Sequence, residues 1–378
     1  MEAESSLTRP GVRMRISAEI DWLIVPLVAV LGMIPVLVRD MVYPSSGGDS
    51  LVHLRRIASI GGENTEPLYF GQALAGYPIR WISDWTGASI EILFLWFSFI
   101  MMAMTGVVLY LVVSSLVNRT AGVAVVLLAM FCSMGIMILF HTGTIFNIIN
   151  MWFILPIALY FVIQWTIHRG WENGLAAILF CVLFSIFHPT GTLLPPALVL
   201  FFAAMMLSKR TRRQRIMIFG SIVAALTTFA CVYCFWWPGT GVKIVASQHL
   251  EIASNGWAAL ALWDFITDHL RTTTLLILVV STGLIIWKRK SFTVRRETKL
   301  FIAMLLCLIA ILVPLTFTGI HPDPRRGGID LATMIAILTA CLVGVVWHNN
   351  RRAGYGLLSV ALIGAIPTLV LWFNYQGG

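Results

Sequence analysis

The sequence predicts an all-α polytopic membrane protein of about eleven transmembrane helices, built as a single transmembrane domain over residues 1–378. Three observations carry that prediction. Hydrophobic residues make up 58% of the chain and charged residues 11%, with a mean hydropathy of +0.87, whereas a soluble domain carries roughly 25% charged residues. The apolar residues fall in runs of about 20, the length a helix needs to cross a hydrocarbon core of about 30 Å. Basic residues crowd alternate inter-run segments. Helices are the structure such runs demand, because a backbone in lipid must satisfy its own hydrogen bonds.

The first 19 residues are polar and lack a cleavable signal pattern, so the run that begins near Trp22 is expected to stay as the first span. The predicted spans are 21–39, 91–116, 120–140, 145–166, 173–187, 190–207, 215–237, 272–287, 300–319, 329–347 and 355–374. The fifth and sixth are short and are separated by "FHPTG". Long polar segments cover 40–90 and 238–271. Within the first, "DSLVHLRRIASI" sets Leu51, Leu54, Ile57 and Ile60 at helical spacing, with Asp49 as a candidate N-cap. His53 then lies one turn past Asp49, and Arg56 nearly a turn further along the same face. "WAALALWDFITDHL" (257–270) is also amphipathic, and its Trp257 and Trp263 suit a membrane interface. Both segments read as surface helices around a groove. Cysteines 132, 181, 231, 234, 307 and 341 all fall in apolar runs, which argues against a disulfide framework. Cys231-x-x-Cys234 reads as packing rather than redox or metal chemistry.

Segments on one side of the predicted spans hold 18 of the 26 Lys and Arg residues. The positive-inside rule makes that side cytoplasmic, with the N-terminus inside and the C-terminus outside. The net charge of +9 then reflects topology and a surface attractive to anionic lipids, and it implies no nucleic-acid partner. The absence of loop cysteines and the compact chain suit a prokaryotic plasma membrane. The outer side collects His53, His141, His188, His249, His269 and His321, together with Arg55, Arg56, Arg80, Arg271, Arg325 and Arg326. Ionisable groups near membrane depth are functional candidates by default. Structural roles compete at each: Asp49 as a cap, His249 and His269 as interfacial residues, Arg325 and Arg326 as partners of Asp323 or Asp330 in "TGIHPDPRRGGID". His188 precedes Pro189 at a helix break that leaves backbone groups free.

Asp49-Ser-Leu-Val-His53-Leu-Arg55 resembles the D-x-x-x-H-x-R signature that follows the first span in archaeal and eukaryotic oligosaccharyltransferase catalytic subunits. "YFGQALAGYPIRW" (69–81), which contains Tyr77, is similar to the aromatic, glycine and Tyr-Pro pattern in the same loop of those enzymes. The arrangement also looks like the GT-C class of membrane glycosyltransferases. The resemblance implies a GT-C-like fold and transfer of a sugar from a polyprenyl-phosphate or polyprenyl-pyrophosphate donor to a glycan, lipid or protein acceptor at the outer face. It implies Asp49 as the carboxylate that acts as the base or holds the metal or acceptor. The second acidic motif of those enzymes, which helps hold a divalent metal, is missing: the corresponding stretch "FHTGTIFN" has His141 and no acid. A requirement for Mg or Mn is therefore left open. The acceptor-sequon motif is also missing.

Such chemistry needs a carboxylate base, which Asp49 supplies, and direct displacement inverts the anomeric centre. The departing phosphate needs cations, and arginine matches its oxygens in bidentate fashion. Arg325 and Arg326 are the first candidates, with Arg55 and Arg56 as competitors, and His53 and His321 can donate hydrogen bonds. His141, His188, Asp323 and Tyr77 are candidate substrate contacts. Two other functions compete: a transporter or flippase of lipid-linked or anionic substrates working through the broken fifth and sixth spans, and a non-catalytic GT-C-like subunit that binds a lipid carrier or a protein partner.

Overall fold

Helices account for 90% of the described residues, and no strand occurs among them. The computed structural model describes residues 23–33, 49–62, 68, 70–132, 145–207, 212–236, 265–318 and 324–374, and of Asp49, Arg325 and Arg326 it describes the backbone alone. In chain order the helices are α1 (Leu23–Met33), α2 (Asp49–Ala58), α3 (Phe70–Thr86), α4 (Ile90–Leu116), α5 (Arg119–Phe131), α6 (Ile145–His168), α7 (Trp171–Phe187), α8 (Leu194–Met206), α9 (Arg212–Trp236), α10 (Thr272–Trp287), α11 (Arg296–Thr318), α12 (Pro324–Asn349) and α13 (Arg351–Asn374). A helix overlaps each of the eleven predicted runs, and α2 and α3 lie in the predicted surface segment. By length and apolarity α4, α6, α11 and α12 can each cross a membrane, while α1, α5, α7, α8, α10 and the Arg215–Thr227 part of α9 are shorter apolar stretches. The chain therefore has the architecture of an α-helical integral membrane protein. The amphipathic segment 257–270 is described only from Phe265 to Leu270, which forms a π-helical turn.

The break between α7 and α8 follows from its prolines. Proline disfavours helical backbone in the residue before it, and His188 is extended (φ −148°, ψ 150°) ahead of Pro189. A 3₁₀ turn, Pro189–Leu193, then leads into α8, whose first turn contains proline, a position where the missing N–H has no intrahelical role. The turn lies close against α7, for a Cβ on Gly191 would run into the Phe184 carbonyl and Ser185.

The centre of the bundle is α12, 89% buried across its apolar stretch, with α6 at 78%. α12 packs against α5, α10, α11 and α13. Lipid tails are as apolar as leucine, so helices in a membrane associate chiefly through close packing and small residues. The α5–α12 crossing is of this kind. A Cβ on Gly344 would lie 2.6 Å from the Ala121 Cβ. Asn118 reinforces the contact: its Oδ1 caps α5 by accepting from the Ala121 N–H at 3.0 Å, and its Nδ2 donates to the Gly344 carbonyl at 2.8 Å.

The same end of the bundle is tied together by further polar contacts. Thr298 of α11 donates to the Leu116 carbonyl at the end of α4 (2.7 Å), and Asn349 accepts from the Thr293 N–H (2.8 Å). Arg119, Arg169, Arg295, Arg296, Lys299, Arg351 and Arg352 all belong to helix ends or turns here. The opposite end holds α2, α3 and the starts of α4, α6 and α12.

Gly344→Leu is expected to separate α5 from α12 and to destabilise the protein by about 1–3 kcal/mol, as overpacking does. Thermal unfolding of detergent-solubilised protein tests this. An unchanged midpoint would show that the crossing can relax.

Candidate functional site

Two buried polar clusters lie at the end opposite the basic turns. The first is built on α2 and α3. α2 turns Leu54 and Ile57 inward, and Ile57 and Ile60 pack around Gly76 of α3. α3 buries Gly71, Gln72, Ala75, Gly76 and Ile79 as one stripe, the spacing expected of an amphipathic helix. Its other face exposes Leu74, Tyr77, Trp81 and Trp85, and aromatics of this kind favour membrane interfaces. Trp81 and Trp85 stack with ring centres 6.1 Å apart.

Gln72 organises the first cluster. Its Oε1 accepts from Arg56 Nη1 at 3.1 Å, and its Nε2 lies 2.6 Å from His53 Nδ1. Guanidinium groups only donate, so the contact with Arg56 orients the amide; Nε2 must then donate to His53. The Nδ1 of His53 therefore accepts, and a neutral ring carries its proton on Nε2. His53 sets its ring edge-on to Phe146 of α6, with centres 4.7 Å apart at 87°. This places His53 inside the protein as a residue that fixes α2 on the bundle.

The second cluster starts at the residue after Phe146. Asn147 donates from Nδ2 to Asp330 Oδ1 of α12 (3.3 Å), and its Oδ1 accepts from the Thr190 hydroxyl (3.0 Å). Asn150 donates to the same hydroxyl oxygen (3.3 Å), and the Thr190 N–H donates to His188 Nδ1 (3.3 Å). The hydroxyl also lies 3.0 Å from His188 Nδ1. It has a single proton, and Asn147 Oδ1 and His188 Nδ1 are both within its reach. Asn147, Asn150, Thr190 and Asp330 are completely buried and His188 is 5% exposed. Asn147 and Asn150, three residues apart, share a helical face where α6 enters its π-helical stretch, Ile149–Ile154. Irregularities of this type recur at functional sites.

The candidates from sequence are distributed unevenly. His53 and Arg56 meet at Gln72, and His188 joins the second cluster. Asp49 begins α2 one turn before His53, and Arg325 and Arg326 lie in the first turn of α12, one turn before Asp330. Arg55 is exposed on α2, and Tyr77, 56% exposed, faces outward from α3. His141, His321 and Asp323 lie outside the described residues. Gln72, Asn147, Asn150, Thr190 and Asp330 are not among the candidate site residues from sequence. The signal was present in N-x-x-N and a lone acid within otherwise apolar stretches. Among the described residues no group of three or more His, Cys, Asp or Glu side chains is placed to hold a metal ion.

Arg271 is a further cation, also read from the sequence as outward-facing. It has a positive φ of 62°, uncommon for a residue with a side chain, and its Nε is buried without a hydrogen-bond partner among the described residues. Burial lowers its pKa from the ordinary arginine value.

Comparison with protein-family models and with curated proteins gives no match.

Gln72→Leu is expected to leave Arg56 and His53 each short of a buried partner, at a cost of about 1–3 kcal/mol. Hydrogen–deuterium exchange should report the loss as faster exchange in α2, with α11 and α12 little changed. Unaltered exchange in α2 would contradict the clamping role of Gln72.

Proposed function

We propose that this protein is a membrane glycosyltransferase of GT-C type. It would move a sugar from a polyprenyl-phosphate or polyprenyl-pyrophosphate donor to an acceptor at the outer membrane face, with inversion. The observation that carries the proposal is a run of contacts linking two distant segments. His53 of α2 touches Phe146, and the adjacent Asn147 binds Asp330 of α12. The beginnings of α2 and α12 thus belong to one end of the bundle, and with them Asp49 and the Arg325–Arg326 pair.

In this reading Asp49 deprotonates the acceptor. Arg325 and Arg326, at the start of a long helix whose N–H groups and dipole also favour anions, receive the departing phosphate. Arg55 and Arg56 are secondary cations on α2. Fixed charge of this sort, aimed at developing negative charge, is often the largest catalytic contribution. His53, Gln72 and Arg56 set the position of the helix that carries the base. The proposal includes eleven spans with the basic end cytoplasmic, and the grouping of basic helix ends supports that orientation. Whether Mg or Mn assists is part of the test.

A second reading is favoured by one observation. Asp330, Asn147, Thr190, Asn150 and His188 form a wholly buried polar group beside a broken helix, an arrangement suited to binding a substrate or ion within a transporter.

Asp49→Asn should reduce transfer from a radiolabelled polyprenyl-linked sugar by roughly 10²–10⁴-fold, the usual contribution of a general base. Undiminished turnover would remove Asp49 from the chemistry, and the same assay with chelator decides metal dependence. In sealed vesicles, Asp330→Asn keeps an acceptor for Asn147 but loses the charge. Substrate movement without product that this substitution abolishes would establish the transporter reading.

A further inference from the structure

A cavity of about 420 Å³ runs between α6, α7, α8 and α9. Pockets that hold small ligands span about 300–1,000 Å³. The walls are apolar or small, with Val162, Ala177, Leu198 and Phe202 among them. Along α7 the lining extends from Gly174 to Ser185, eleven residues of helix or about 16 Å. That length is close to one leaflet of a hydrocarbon core about 30 Å thick. The shape suits one extended hydrocarbon chain.

The end toward the basic turns shows what kind of molecule carries that chain. There the cavity adjoins a small chamber of about 40 Å³ through shared walls at Trp165, Phe202, Met217 and Ser221. Arg169 and Arg296 line the chamber. They come from the end of α6 and the start of α11, so packing rather than chain proximity brings them together. Arg169 has a left-handed backbone (φ 55°) and ends its helix with an N–H donated to the Trp165 carbonyl. The nearby Glu297 is within ion-pair distance of Arg295 (3.6 Å).

We propose that this cavity is a binding site for an anionic phospholipid of the leaflet at the basic end. One acyl chain occupies the groove and the phosphate meets Arg169 and Arg296. Charge complementarity selects this occupant: an apolar slot one leaflet long, with two arginines at its mouth, matches a phosphodiester on an acyl chain. Both arginines are exposed, so the headgroup remains hydrated. The proposal is independent of the transferase reading, because the chamber lies at the opposite end from Asp49 and Asp330.

Native mass spectrometry of the purified full-length protein tests the site with long-chain phosphatidylglycerol, phosphatidylcholine and a polyprenyl phosphate as probes. Phosphatidylglycerol should bind in preference to phosphatidylcholine. Arg169→Gln with Arg296→Gln should weaken phosphatidylglycerol by roughly thirtyfold, the factor expected for two phosphate-facing cations, and weaken phosphatidylcholine, whose choline already offsets its phosphate charge, by less. Gly220→Leu provides an independent variant. Gly220 lines the groove and a Cβ there meets nothing within 4 Å, so the leucine starts from open space at the wall of the slot. It should abolish phosphatidylglycerol binding. Equal binding of the two phospholipids, or phosphatidylglycerol binding indifferent to both variants, would overturn the proposal. Preferential binding of the polyprenyl phosphate, lost in Gly220→Leu, would overturn it too and make the groove a donor-tail site.

Discussion

Asp330 lies in the most enclosed of the long apolar helices, and a buried side-chain oxygen there requires a hydrogen-bond donor. The Asn147 carboxamide is one, donating to Oδ1. Because an amide has both a donor and an acceptor, Asn147 passes the requirement to Thr190, whose hydroxyl then also engages Asn150 and lies beside His188. Polar groups in a low-dielectric interior are costly when unmet and strengthen one another when satisfied. One acidic side chain thereby constrains α6, α12 and the turn after α7. Phe146, adjacent to Asn147, extends the constraint to α2 by presenting its ring to His53.

The two bundle ends use different chemistry for related purposes. At the basic end, Asn118, Thr298 and Asn349 bind backbone groups of other elements, with Gly344 allowing the close crossing between α5 and α12. These contacts hold helix ends and turns in place. In the two clusters at the other end, side chains bind chiefly side chains, and the groups involved are ionisable or can both donate and accept. Side-chain networks of that sort can alter their hydrogen bonding when a ligand or proton arrives, whereas backbone contacts leave little to change.

The helical runs were legible because a bilayer enforces length and apolarity on every spanning segment. The helix break at His188 was legible because proline constrains its predecessor. The surface helix α2 followed from Leu54, Ile57 and Ile60, although Leu51, on the same repeat, is exposed. The site was less legible. His53 reads as a phosphate ligand by residue type, yet its Nδ1 is engaged by Gln72, nineteen positions away. Asn147 and Asp330 are separated by 183 residues, and no local pattern announces a pair at that distance. Asp330 could be noticed only as an acid in an apolar run, and its partner depends on how α6 is rotated through its π-helical stretch.

The sequence distances of these contacts also bear on how the chain is assembled during synthesis. Thr298 reaches Leu116 across 182 residues, Asn118 reaches Gly344 across 226, and Cys132 donates to the Ala361 carbonyl across 229. When α4, α5 and α6 enter the bilayer, the helices that complete their packing have not yet been made. The early half must therefore reside in the membrane as inserted helices whose amide side chains find temporary partners in water, lipid headgroups or insertion factors. Arrival of α12 supplies Asp330 at one end and Gly344 at the other, so a ribosome stalled before α12 would leave each end without the contacts those residues make.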